Sequence, residues 1–206
     1  MSRPEELRRQ AISTLQEFEV LMLDGHFDYG NGYHGRVYLN PHRLFRQPSL
    51  IWRLAQDVLD ILPKPIVSGT DVVVGPVMGG ALLAHTIAGL LDGRRNLGHP
   101  PSSFAPLSPD GSGSLILRPF YQTVVAGRRV LLADDVRNTG KTFERGKAVI
   151  EAAGGTVIAT AVIYDRLEAI VDLGVPTFSL AEYRAPENFS IGECPMCRRG
   201  EPVTAF

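Results

Sequence analysis

The sequence predicts an α/β fold: a parallel sheet flanked by helices, with a small N-terminal helical and hood region in front of it. Short β-branched runs at Val72–Val74, Val130–Ala133 and Thr156–Tyr164 alternate with helix-forming segments, which is the pattern of parallel βαβ units. Between the last two runs a helical stretch closes on Gly154-Gly155, a helix-stop signal that feeds the chain back into a strand. The 206 residues, 44% hydrophobic and 21% charged, suit one domain with a sizeable core. We divide that domain into N-terminal helices and hood (1–65), a core (66–185) and a C-terminal tail (186–206).

The elements follow in order. Residues 2–24 read as an amphipathic helix, because Leu7, Ala11, Leu15, Phe18 and Met22 fall on one stripe and Ser2 with Glu5 has capping-box spacing. Gly25 to Tyr38 mixes glycines, aromatics and polar groups, so turns and short strands are expected, in a loop elaborate enough to invite a functional role. Residues 48–62 form a second helix, opened by Pro48 and Ser49 and stopped by Pro63 and Pro65. Further helices are expected at about Gly80–Leu91 and Thr142–Ala153. Residues 98–114, rich in Gly, Ser and Pro, read as a mobile excursion between short strands.

Composition narrows the partners. A net charge of −1 advertises no broad basic surface to nucleic acid or to an anionic membrane, which favours small-molecule chemistry. No apolar run approaches a membrane span and the N-terminus lacks a secretion-signal core, so a cytoplasmic protein is expected. The 2 cysteines, Cys194 and Cys197, form a single Cys-x-x-Cys with no second pair. A tetrahedral zinc site needs four ligands, so one chain cannot supply an all-thiolate site. We read both as reduced structural thiols, a site shared across a dimer being the other arrangement. His26 and His34 read as hydrogen-bonding groups, and no metal-ligand set is assigned.

The run from Val130 to Thr142 carries the chemistry. A buried apolar strand ends in Asp134 and Asp135, followed at once by Val136, Arg137, Asn138, Thr139, Gly140, Lys141 and Thr142. Adjacent side chains on a strand diverge, so the two carboxylates can address neighbouring hydroxyls of one sugar ring. The polar loop that opens the next helix offers free backbone N–H groups where the helix dipole favours an anion. Sugar and phosphate together indicate a ribose phosphate. An Asp-Asp that merely ends a strand before a helix cap is the bland alternative, and the whole run is more restrictive than that. Gly140-Lys141-Thr142 lacks the preceding glycine spacing of a nucleotide-triphosphate P-loop.

This run resembles the phosphoribosyl-pyrophosphate motif of type I phosphoribosyltransferases, and the wider chain is similar to the orotate phosphoribosyltransferases. The likeness extends to Gly25-His26-Phe27, Gly32-Tyr33-His34, Val74 to Gly80, Leu117-Arg118, Asp165-Arg166 and Glu193 to Cys197. It implies a type I phosphoribosyltransferase-like fold that uses 5-phosphoribosyl-1-pyrophosphate and a nucleobase, with Mg²⁺ as cofactor and a homodimer as the assembly. By the resemblance, Asp134 and Asp135 are the catalytic pair on the ribose 2′ and 3′ hydroxyls, and Asn138 to Thr142 wrap the 5′-phosphate. Val77, Met78, Gly79 and Gly80 then approach the pyrophosphate, with glycine permitting close backbone contact. Arg166 matches the arginine that grips the base's carboxylate, for which a guanidinium fork is suited. The chain departs from the family at the excursion, where Phe104 to Gly111 holds no cation; Arg118, Arg94 and Arg95 are the nearby substitutes. It departs again at Gly30 and Asn31, which stand where the orotate enzymes commonly carry Lys or Ser and then Ser. An alternative reading of the same cradle is a phosphoribosyl-pyrophosphate sensor without turnover.

Overall fold

A computed structural model describes residues 3–30, 32–95, 98–168 and 171–205. Ser2 of the capping pair and Asn31 of the glycine-rich loop lie outside the described residues.

The chain opens with α1 (Arg3–Glu17), which buries Ala11 and Leu15. It is shorter than the stripe predicts. At Glu19 the backbone turns left-handed (φ 51°), and the Val20 N–H closes onto the Leu15 carbonyl at 2.8 Å. The hood follows as β1 (Leu21–Met22), β2 (Phe27–Asp28), β3 (Tyr33–Gly35) and β4 (Tyr38–Leu39). Leu21 and Met22 pair antiparallel with Leu39 and Tyr38, so residues whose spacing continues the helical stripe find sheet partners instead. A 3-10 turn over Pro41–Arg46 leads into α2 (Pro48–Ile61), which buries Leu50, Ile51, Leu54, Ala55, Val58 and Leu59 on one side. Pro63 stops that helix as expected. Pro65 does not; it sits in the first turn of the short α3 (Lys64–Gly69), where a missing N–H costs nothing.

The core comprises β5 (Val72–Pro76), α4 (Gly79–Asp92), β6 (Ser103–Pro109), β7 (Leu115–Ile116), α5 (Pro119–Val125), β8 (Arg129–Arg137), α6 (Lys141–Ala152), β9 (Thr156–Asp165) and β10 (Thr177–Glu182). β11 (Phe189–Ser190) and α7 (Pro195–Arg198) complete the chain. Six strands form one sheet in the order β10-β9-β8-β5-β6-β7, parallel except for β7. The period of two sends alternate residues to opposite faces. Val73, Leu131, Ala133 and Ile163 join the cluster beneath α1, α2 and α4, while Val72, Val74, Leu132 and Val162 join the one beneath α5 and α6. Burying each Val, Leu or Ile side chain among these contributes about 1.5–3 kcal/mol.

The excursion at 98–114 contains a sheet strand, contrary to its composition. Ser103 to Leu107 pair in register with Val72 to Pro76, and Ala105 and Leu107 are fully buried. The prolines are tolerated because the outer edge of β6 is covered only at its end, by β7. Outside the strand lie residues 98–102 before it and the turn Asp110–Ser114 after it, where one Asp110 carboxylate oxygen accepts the N–H groups of Ser112 and Ser114 at 2.8 and 2.9 Å.

Candidate active site

The site lies at the carboxyl ends of β5, β8 and β9, where parallel sheets of this kind place ligands. β8 does not stop at Ala133. Its ladder to β9 continues through Val136↔Tyr164 and Arg137↔Asp165, because β9 is itself long enough to partner it. Asp134 and Asp135 therefore belong to the strand, and the pleat decides where each one points. Asp134 continues the Val130–Leu132 face toward α6, and Asp135 continues the Leu131–Ala133 face toward α4 and the hood.

Two adjoining cavities result. The smaller, about 90 Å³, is bounded by Asp134 and the run from Val136 to Phe143. All of the predicted residues Val136, Arg137, Asn138, Thr139, Gly140, Lys141 and Thr142 line it. Gly140 takes the left-handed backbone (φ 85°) that turns the chain from β8 into α6, which leaves the first-turn N–H groups of that helix at the cavity. Asp134 is 8% exposed, and its carboxylate accepts the Asp135 N–H at 2.9 Å. Burial, and then the adjacent Asp135 carboxylate, push Asp134 well above the usual carboxyl range.

The larger cavity, about 570 Å³, receives Asp135 from below, Arg166 from the end of β9, and Tyr29, Tyr38 and Asn188 from the hood and tail. Asn138 reaches both cavities. Arg166 donates toward the Asn138 side-chain oxygen at 3.4 Å and pairs with Glu168 at 3.1 Å, which fixes the guanidinium at the cavity wall. Tyr164, at the same wall, is pushed up to about 12, chiefly by burial and against the pull of Arg166. Tyr29 donates its hydroxyl to the Val37 carbonyl at 2.6 Å and toward Asn188 at 3.2 Å, which ties the hood to the tail. The sequence signals Tyr29 and Tyr38 only through the glycine–aromatic composition of 25–38, and gives no signal for Asn188.

This arrangement has close relatives. The phosphoribosyl transferase domain family matches residues 50–177. Over 95% of its length the chain is 33% identical to an orotate phosphoribosyltransferase from Erythrobacter litoralis, covering 94% of that protein. The chain belongs to the orotate phosphoribosyltransferase family. A second family member, from Heliobacterium modesticaldum, is 32% identical over 94% of both chains. The crystal structure of orotate phosphoribosyltransferase from Aeropyrum pernix matches with a TM-score of 0.64, covering 82% of this chain and 92% of that one; at 23% identity this likeness concerns the fold.

Other residues expected from the orotate phosphoribosyltransferase resemblance fall in different places. Val77 and Met78, 45% and 63% exposed, form the turn between β5 and α4, and their peptide bond is cis. Gly79 and Gly80 open α4 against the two carboxylates. A Cβ at Gly79 would overlap the Asp135 carboxylate, and one at Gly80 would lie 2.6 Å from Asp134 Oδ1. Both positions require glycine. Arg118 stands exposed at the head of α5 and lines neither cavity. Arg94 pairs with Asp60, and Arg95 bonds the Val67 and Thr70 carbonyls at the amino ends of the strands, so neither substitutes for a basic loop. Cys194 and Cys197 are not isolated thiols, nor do His26 and His34 stand apart; the fold gathers all four into one cluster.

Proposed function

We propose that this chain acts as one phosphoribosyltransferase domain, transferring phosphoribose from 5-phosphoribosyl-1-pyrophosphate to orotate with release of pyrophosphate. The reading is carried by the divergence of Asp134 and Asp135 into two adjoining cavities, one lined by a helix-opening loop and the other by a fixed arginine. In it, the base nitrogen forms its bond to ribose C1 as the bond from C1 to pyrophosphate breaks, and the electron pair leaves with pyrophosphate. Asp134 and Asp135 accept hydrogen bonds from the ribose 2′ and 3′ hydroxyls, and Asn138 to Thr142 hold the 5′-phosphate through backbone N–H groups. Val77 to Gly80 flank the leaving pyrophosphate. Arg166 orients the base through its carboxylate, and holding both reactants in line supplies much of the rate.

Mg²⁺ fits this donor set. Neither Asp134 nor Asp135 takes part in any of the ion pairs formed among the described residues, and carboxylate and polyphosphate oxygens are the hard ligands this ion prefers. The residues that would hold it with the substrate are Asp134 and Asp135, and its charge would stabilise the departing pyrophosphate. We place the protein in the cytoplasm as a homodimer; among the described residues no helix is long and apolar enough to cross a membrane.

A second reading, a phosphoribosyl-pyrophosphate sensor without turnover, is favoured by one observation: residues 103–116 contain no Lys or Arg. Loss of one charged transition-state stabiliser costs about 2.7–4 kcal/mol, so turnover would be slow. Pyrophosphate release with phosphoribosyl pyrophosphate, Mg²⁺ and a panel of bases separates the two. Release that depends on orotate supports transfer. Calorimetric binding of the sugar phosphate with no release under any base supports the sensor and ends the transfer proposal.

A further inference from the structure

The hood and tail hold a second constellation, whose residues line neither sugar-phosphate cavity. His26 precedes β2 and His34 sits in β3, while Cys194 and Cys197 flank the start of α7. Phe189 in β11 pairs with His34, and Thr204 bridges to Phe27, so the last residues of the chain are folded back onto its first forty. His26 Nε2 and His34 Nδ1 lie 2.9 Å apart; Cys197 Sγ is 3.6 and 3.2 Å from them, and Cys194 Sγ is 3.5 Å from His26 Nε2. All four donor atoms fall within 4.8 Å of one another, and His26, His34 and Cys194 are buried.

The outer contacts of the two imidazoles leave one ring nitrogen of each facing inward. His26 Nδ1 meets the Glu201 carbonyl at 3.0 Å, and a carbonyl can only accept, so Nδ1 donates to it and Nε2 faces the cluster. His34 Nε2 faces the Asp28 carboxylate at 3.9 Å on the outer side of the ring, which leaves Nδ1 facing inward. The two inward nitrogens lie 2.9 Å apart in a buried space with two sulfur atoms beside them, so four metal-ligating atoms converge on one point.

We infer that His26, His34, Cys194 and Cys197 form a closed, tetrahedral Zn²⁺ site that clamps the tail to the hood. Two thiolates and two imidazoles are a zinc donor set, and a tetrahedral ion with bonds of about 2.0–2.1 Å to nitrogen and 2.3 Å to sulfur sets its ligands roughly 3.3–3.8 Å apart. The four individual spacings of 2.9, 3.2, 3.5 and 3.6 Å lie within about 0.4 Å of that range, and no pair is more than 4.8 Å apart. The Glu201 carbonyl gives His26 the outer hydrogen-bond partner that zinc-bound histidines ordinarily have, and the Asp28 carboxylate stands 3.9 Å from the outer nitrogen of His34. Four protein ligands leave no open position, so the ion is structural. It fixes the sheet that presents Tyr29 and Asn188 to the larger cavity.

The test is metal analysis of the full chain purified without chelator and re-equilibrated with Zn²⁺, alongside Co²⁺ titration of the metal-stripped protein. About one zinc per chain is expected, with a cobalt spectrum showing tetrahedral and thiolate charge-transfer bands. Cys197→Ser and His34→Ala should retain under about a tenth of that zinc, and chelator should lower the melting temperature of the parent chain but not of Cys197→Ser. Should those variants fail to fold, the cobalt spectrum of the unaltered chain decides. The inference is overturned if the unaltered chain binds no zinc and gives no thiolate–cobalt band, or if Cys194 and Cys197 form a disulfide in the presence of Zn²⁺.

Discussion

The guanidinium of Arg137 meets the Asp165 carboxylate at 2.7 Å, with the two side chains 10% and 2% exposed. The same two strands are joined where the Arg166 N–H donates to the Arg137 carbonyl at 3.0 Å. Arg137 therefore ties the exit of β8, which becomes the loop at the small cavity, to the exit of β9, which becomes the arginine of the large one. Removing one partner of a buried pair strands the other charge, at a cost of about 3–5 kcal/mol. Arg137→Ala should lower the urea-unfolding free energy by that amount. An unchanged midpoint would show that the pair is not needed to hold the two loops.

Arg166 is held by Glu168 and Asn138 at the cavity wall. Arg166→Ala should raise the KM for orotate roughly tenfold to a hundredfold, since hydrogen bonds to charged groups contribute about 1.5–3 kcal/mol, while leaving the affinity for phosphoribosyl pyrophosphate as it is. Equal orotate affinity in both proteins would remove Arg166 from the base subsite.

The start of α4 tolerates no side chain, whereas its far end does. Gly80→Ala places a methyl 2.6 Å from Asp134 Oδ1 and should cost about 1–3 kcal/mol of stability together with sugar-phosphate affinity. Gly89→Ala in the same helix meets nothing within 4 Å and should stabilise it by about 0.5–1 kcal/mol. Thermal melts of the two proteins check the contrast, and a neutral Gly80→Ala would contradict the close approach.

In the proposed function Asp134 is a binding group kept at the expense of stability. Its carboxyl is held above the ordinary 3.8, by burial first and by Asp135 second. A native pKa above the unfolded one means that the folded chain holds the proton more tightly. That contribution is complete below the unfolded value and is lost as pH rises through the raised one. Asp134→Asn should therefore raise the melting temperature at neutral pH, by about 2–4 °C for each kcal/mol relieved, and the gain should disappear in acid. A variant less stable than the parent at neutral pH would refute this.

Much of this was legible in the sequence, and the exceptions have physical causes. The runs at Val72, Val130 and Thr156 are apolar because both sheet faces are covered, so their pattern announced parallel strands. Asp134 to Thr142 could be singled out because the residues that the fold gathers at the two cavities are contiguous there. The β6 strand was hidden because prolines and serines on an edge mimic a loop, although Ala105 and Leu107 alternate as a strand requires. The end of α1 was hidden because Phe18 and Met22 continue its spacing after the backbone has turned. The cluster of His26, His34, Cys194 and Cys197 could not be seen at all: the pairing of β3 with β11 brings together ligands from the two ends of the chain.

The most direct test of the account is calorimetric titration of phosphoribosyl pyrophosphate with Mg²⁺ into the unaltered chain and into Asp134→Asn/Asp135→Asn. The account predicts saturable binding to the first. For the second it predicts a loss of roughly a hundredfold or more, from two charge-assisted hydrogen bonds at about 1.5–3 kcal/mol each. Equal affinity in a folded double variant would contradict it.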